Sequence, residues 1–350
     1  AGAALRNHTR VTDLAPTGAG WVVTLEDEFT GESLSVTAQT VVNATGVWID
    51  GLRQKALQGD STAAQAQHRP LVRPSQGVHL VVEQSVLPLK QAVLVPQTTD
   101  GRVLFALPWL GKTLIGTTDT PRSDAPLEPQ ATPDELDFLF QQCRLSLGVE
   151  LKPEWVKSIW VGLRPLVNQD PSSSTSGLSR EHLIRRDRPR FLTVTGGKWT
   201  TYRAMAQSVM QALVASGDLP AAPQVANSHL HGLHGQLPGA PPLDVQQEPG
   251  LHLLGSDASV VAQIPGGDRP LGLGLTEAIV RFSARFEWAV TVEDVLARRW
   301  RTLFLDARLA QQAAPRVAEI LLEETGMDPQ LDAFSKLSAG YILQNQGGTP

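Results

Sequence analysis

The segment Phe191-Leu-Thr-Val-Thr-Gly-Gly-Lys-Trp-Thr-Thr-Tyr202 constrains this chain more than any other. A β-branched, apolar run ends in two adjacent glycines and passes at once into a helical pattern that reaches about Ala215. A strand that turns on glycine into a helix is an α/β arrangement, so both strand and helix layers are expected. Gly196 and Gly197 lack the Cβ that penalises positive φ, so their backbone can press closely against a ligand. The helix start leaves N–H groups without intrahelical partners, and Lys198 adds charge beside them, which makes an anion-stabilising site. Taken singly, a Gly-Gly pair is more often a plain turn, and the rest of the chain has to decide.

The 350 residues exceed one ordinary domain, and the 41% apolar content fills real cores. Residues 21 to 25 and 34 to 42 are β-branched runs separated by a turn-rich stretch, and the second ends in Asn43-Ala44-Thr45-Gly46 before a short helix over residues 48 to 57. Residues 78 to 82, 92 to 95, 102 to 107 and 113 to 117 read as successive strands of an antiparallel sheet, with Asp100-Gly101 as a hairpin signal. Thr132-Pro133-Asp134-Glu135 is a capping box for a one-faced helix carrying Leu136, Leu139, Phe140, Cys143 and Leu147. Strands resume at 156 to 161, 183 to 185 and 191 to 195. A Pro, Gly, Gln and His-rich stretch from 219 to 269 reads as an irregular linker. Helical patterns follow at 276 to 286, 291 to 303, 306 to 325 and 328 to 343. The expected division is therefore 1–218, a linker over 219–269, and a helical domain over 270–350.

Several residues carry chemistry in this pattern. An anion site at Gly196, Gly197 and Lys198 suits the negatively charged edge of a reduced flavin. Arg164, fixed before Pro165 at a strand end, and Arg180, after the Ser-rich loop, offer guanidinium forks for a phosphate or carboxylate; either is also readable as a solvated arginine. His79 is a candidate general base or hydroxyl donor, although by itself such a residue is more often a satisfied core histidine. Gly111-Lys112-Thr113 mimics a phosphate loop, but Ala106 stands where its leading glycine belongs, so a hairpin turn is expected. His229, His231 and His234 have metal-like spacing without accompanying Cys or carboxylate ligands, and no metal is expected. Arg298, Arg299 and Arg301 read as an ion-paired helix face, and Cys143 as a core residue. The net charge of −5 supplies no field for nucleic acid, and no stretch approaches the roughly 20 apolar residues of a membrane span.

Seven segments in order resemble the FAD-dependent glycerol-3-phosphate dehydrogenase family: VVNATGVW from Val41, RPSQGVHLVV from Arg73, FALPWLGKTLIGTTDT from Phe105, VGLRPLV from Val161, LSREHLI from Leu178, TGGKWTTYRAMA from Thr195, and TVEDVLARRWRTLFLDA from Thr291. The resemblance implies an α/β (α+β) FAD-dependent oxidoreductase fold with a partial Rossmann-type FAD unit, a mostly antiparallel substrate sheet and a C-terminal helical domain. It implies oxidation of sn-glycerol 3-phosphate to dihydroxyacetone phosphate, with electrons passed to a quinone. Ala44, Thr45 and Gly46 would line the FAD, and Gly196, Gly197, Lys198 and Thr200 would hold the flavin edge. Arg164, Arg180 and Lys198 would grip the substrate phosphate, with His79 assisting loss of the hydroxyl proton. A cytoplasmic location, peripheral contact with the inner face of the membrane and a homodimer fit the same resemblance.

The family's G-x-G-x-x-G turn has no counterpart here: the nearest pattern, Gly272-Leu-Gly274, places Glu277 at the third glycine. The expectation is a chain lacking the dinucleotide-binding start, which alone holds FAD weakly. A glycerol-3-phosphate oxidase, and a non-catalytic remnant acting as a binding module, are the alternative readings.

Overall fold

In the computed structural model the residues described are 3–58, 69–98, 101–168, 182–220 and 244–343. The strands, in chain order, are β1 (Thr9–Pro16), β2 (Trp21–Asp27), β3 (Ser33–Ala38), β4 (Val41–Asn43), β5 (Val72–Glu83), β6 (Val93–Val95), β7 (Leu104–Trp109), β8 (Lys112–Gly116), β9 (Thr120–Pro121), β10 (Val156–Val167), β11 (His182–Arg188), β12 (Phe191–Gly196), β13 (Pro270–Gly272) and β14 (Leu275–Thr276). Two compact units interleave along the sequence: Ala1–Gln76, Asp119–Pro129 and Leu163–His229 form one, and Gly77–Thr118, Gln130–Gly162 and Leu230–Pro350 form the other.

The first unit contains an antiparallel meander in the order β1-β2-β3 and a three-stranded sheet in the order β11-β12-β4. β12 runs antiparallel to β11 but parallel to β4, with Leu192 opposite Val42. Alternation along β12 supplies two apolar faces. Leu192 and Val194 pack with Val209 and Leu213 of the helix Tyr202–Ala215, while Phe191 packs with Trp21, Leu14 and Ala56. Ala56 lies on the helix Ile49–Leu57. That helix is tied down by Arg53, whose side chain is buried and donates to Asp50 at 2.7 Å and to Asp187 at 3.1 Å. A buried cation requires such partners, because an uncompensated charge there would cost several kcal/mol, roughly 3–5.

The second unit holds an antiparallel ladder in which β5 pairs β8, β8 pairs β7 and β7 pairs β6. Val78, Leu80, Val82, Leu104, Ala106 and Ile115 are fully buried and share one core with Leu139 and Cys143 of the helix Pro133–Leu147. The capping box at Thr132 and Glu135 is present, and Gly148 ends the helix at φ 69°. Burial pushes the Cys143 thiol up to about 12. The turn at Leu110-Gly111 is a tight link between β7 and β8, and the Lys112 ammonium goes to Glu83 at 2.7 Å rather than to a phosphate site.

A second core in this unit gathers the helices Glu277–Glu287, Ala307–Thr325 and Leu331–Ala339. Asp306 and Gly326 close the long helix as N-cap and left-handed C-cap. The stretch 291–303 departs from the single helix expected. It forms a π-helical turn over Asp294–Arg299 and a separate short helix Thr302–Leu305, because Arg301 takes φ 64° and the buried Trp300 indole is pinned to the Leu273 carbonyl at 2.8 Å. The basic run is ion-paired in part: Arg298 with Glu293 and Arg299 with Asp294. The stretch read as an irregular linker contains short helical turns at Leu251–Asp257 and Ala258–Val261 among its described residues. Asp100 and the three histidines at 229, 231 and 234 lie outside the described residues. No helix among the described residues is long and apolar enough to cross a membrane.

Candidate functional site

β12 delivers the chain to the Gly-Gly turn, and both glycines take positive φ, 75° at Gly196 and 70° at Gly197. A Cβ on Gly197 would stand 2.7 Å from the Met205 sulfur and 3.2 Å from the His182 Cβ, so the turn is also closely packed on its protein side. The helix does not begin at once. Lys198 is extended and its carbonyl accepts from both the backbone N–H and the hydroxyl of Thr201 at 2.9 Å, which winds Trp199–Thr201 into a 3-10 turn before Tyr202. Trp199 is 86% exposed and stacks on Tyr202 at 5.5 Å.

A cavity of about 340 Å³ in the first unit is lined by Leu163, Arg164, Pro165, Leu166, Gly196, Gly197, Lys198 and Trp199. Arg164 and Lys198 thus share one concavity with the two glycines. Arg164 faces Asp119 at 3.6 Å, and the Asp119 carboxylate accepts a short hydrogen bond from the Ser75 hydroxyl. Neither Asp119 nor Ser75 is signalled in the sequence, because their partnership with Arg164 exists only through space. An aspartate so placed partly offsets the guanidinium charge at the wall of the cavity.

The Ala44-Thr45-Gly46 turn and Thr200 are not among the residues lining that cavity. The turn is organised by Asn43, which is fully buried: its amide donates to the Ile49 carbonyl at 2.9 Å and its Oδ1 accepts from the Thr45 hydroxyl at 2.8 Å. Gly46 sits at φ 62° and opens the 3-10 turn Gly46–Trp48. His79 belongs to the second unit and lies well inside β5, which starts at Val72 rather than just before the histidine. Arg180 lies outside the described residues. Among the described residues no group of His, Cys, Asp and Glu is arranged to hold a metal.

Residues 1–210 match the FAD dependent oxidoreductase family, and residues 254–331 match the C-terminal domain of alpha-glycerophosphate oxidase. The chain belongs to the FAD-dependent oxidoreductase family. It is 34% identical over 360 residues to the mitochondrial glycerol-3-phosphate dehydrogenase of Arabidopsis thaliana, covering 94% of this chain and 56% of that protein. To the human mitochondrial glycerol-3-phosphate dehydrogenase it is 34% identical over 328 residues, covering 87% of this chain and 43% of the relative. The chain therefore spans about half the length of the curated relatives it matches. The crystal structure of the glycerol-3-phosphate dehydrogenase from Bacillus halodurans, complexed with FAD, superposes with a TM-score of 0.76 at 24% identity, covering 99% of this chain and 71% of that one. The fold is accordingly that of an FAD-dependent oxidoreductase.

Proposed function

We propose that this chain supplies much of the substrate and flavin-edge machinery of an enzyme that oxidises sn-glycerol 3-phosphate to dihydroxyacetone phosphate. The observation that carries the reading is the convergence of Arg164 and Lys198 on the cavity walled by Gly196 and Gly197. Two cations beside a backbone turn at positive φ suit an anionic ligand pressed against main chain, and they suit the flavin edge equally. FAD, when bound, supplies the acceptor for the two electrons leaving the substrate carbon. Arg164, Arg180 and Lys198 hold the phosphate dianion and so orient the substrate, while His79 takes the proton of the oxidised hydroxyl. Gly196, Gly197, Lys198 and Thr200, with Ala44, Thr45 and Gly46, form this chain's part of the flavin site. The names of the relatives favour a dehydrogenase over an oxidase, and a membrane quinone met at the inner face of the cytoplasmic membrane is the proposed acceptor.

Steady-state kinetics of Arg164→Ala and Arg180→Ala in the intact enzyme test this. Loss of a charge-assisted phosphate contact costs about 2–3 kcal/mol in kcat/KM, or roughly 30- to 150-fold. Arg164→Ala is expected to be the more damaging, because Pro165 fixes its backbone. Near-wild-type turnover in a folded, flavin-loaded Arg164→Ala enzyme would place the phosphate elsewhere.

A further inference from the structure

His79 is held by aromatic packing that leads to the C-terminal helices. Its register partner across the ladder is Gly116, and a Cβ there would lie 2.5 Å from the imidazole Cδ2, so the ring occupies space that only glycine leaves. Trp160 of β10 stacks on the imidazole at 4.1 Å with 18° between planes, and Phe105 stands tilted at 5.8 Å. The Trp160 indole N–H finds no acceptor among the described residues, so ring packing rather than a hydrogen bond sets its position. Part of that packing comes from Trp109 of β7, tilted at 6.5 Å, and part from the helical region. Phe304 meets Trp160 edge-on at 5.6 Å and is itself met edge-on by Tyr341 at 5.8 Å.

The backbone around Trp160 is fastened to the same region. The Ile159 N–H donates to the Tyr341 carbonyl at 2.8 Å, and the Ser158 hydroxyl donates to the Leu303 carbonyl at 2.8 Å. The two residues preceding Trp160 are thus tied to the C-terminal segments, and its ring is wedged by one of their side chains. Edge-to-face and stacked contacts fix ring orientation because the aromatic quadrupole favours only a few mutual geometries. A proton acceptor must be held within hydrogen-bond reach of its donor, so a rotated imidazole loses rate.

We propose that Trp160 is a positioning residue for His79, and that the C-terminal helical region acts on the reaction by holding Trp160 through Phe304 and Tyr341. The inference rests on the reading of His79 as the proton acceptor, but its geometric half is measurable without turnover. In the full chain with isotopically labelled histidine, His79→Gln assigns the His79 ring signals. The stacked indole moves those signals away from the values of a solvent-exposed histidine. Trp160→Phe is expected to keep most of that displacement and Trp160→Leu to abolish it. Phe304→Ala, which alters the next ring along the chain of contacts, is expected to reduce it. The signals of the remaining histidines, unmoved, show that each variant is folded.

In the intact enzyme Trp160→Leu is expected to lower kcat about 10- to 100-fold with KM little changed, and Trp160→Phe to restore most of the loss. A His79 signal indifferent to Phe304→Ala, or unchanged kcat in Trp160→Leu, would overturn the proposal. Full turnover in His79→Gln would instead remove the base role while the spectra still report on the clamp.

Discussion

Substituting alanine for Gly197 isolates what the turn demands of its backbone. Placing a side chain at φ 70° costs about 1–2 kcal/mol, partly offset by roughly 0.5–1 kcal/mol from the stiffer unfolded chain. The added Cβ also arrives 2.7 Å from the Met205 sulfur, so Met205 must withdraw from its packing near Leu192, Val194, Val209 and Leu213. Repacking of that kind costs about 1 kcal/mol or more. Gly217, in the same unit, is the control: it has φ 73° but nothing within 4 Å of its would-be Cβ. Gly217→Ala is therefore expected to cost about 0.5–1 kcal/mol and Gly197→Ala about 1.5–2.5 kcal/mol. Urea unfolding followed by tryptophan fluorescence measures both, and repeating Gly197→Ala in a Met205→Ala background should remove most of the excess, leaving the tight approach to the His182 Cβ at 3.2 Å. Equal costs at the two glycines, or an excess undiminished by the loss of Met205, would refute the packing argument.

The Arg186 guanidinium donates to Asp218 through two bonds, at 2.7 and 2.8 Å, and holds its carboxyl below the usual carboxylate range. Because the folded pKa is depressed, that stability is fully present above the ordinary carboxylate value and lost as pH falls through the lowered one. Asp218→Asn should thus cost about 1.5 kcal/mol at neutral pH and flatten the loss of stability below roughly pH 4, as read from urea midpoints across pH 3–7. Native Cys143, buried and with its thiol pushed up to about 12, should resist alkylation until the protein is unfolded, which mass spectrometry after timed labelling will show. Asp306→Ala removes the acceptor for the Leu309 N–H and should lower stability by about 1 kcal/mol in a thermal melt.

Local signals were legible where neighbours in sequence are neighbours in space. The Gly196-Gly197 turn, the Thr132 capping box and the Gly326 cap each appear as the residue chemistry requires. The antiparallel ladder also follows from its short apolar runs and its tight turn at Leu110-Gly111. Contacts made across the chain were not legible. No pattern near Arg164 announces Asp119 and Ser75, and none near His79 announces Trp160, since each pairing depends on how distant strands align. The break in residues 291–303 was hidden because its apolar spacing is helical, while the pinned Trp300 and the left-handed Arg301 are tertiary demands. Sequence order likewise suggests consecutive segments, whereas β5 and β10 each pass from one compact unit into the other.

The parallel pairing of β4 with β12 sets a timetable for biosynthesis. Val41–Asn43 leaves the ribosome about 150 residues before the strand that completes its hydrogen bonding. At roughly 5–20 residues per second, that is a wait of about 10–30 s. Over the same interval Arg53 lacks Asp187, and Trp21 and Ala56 lack the Phe191 ring that closes their core. The nascent segment ahead of Phe191 therefore exposes an apolar surface and an unfinished strand edge, the features that recruit holding chaperones and seed aggregation. Products of synthesis stalled before Phe191 should be insoluble, whereas those released after Ala215 carry everything the β11-β12-β4 sheet needs.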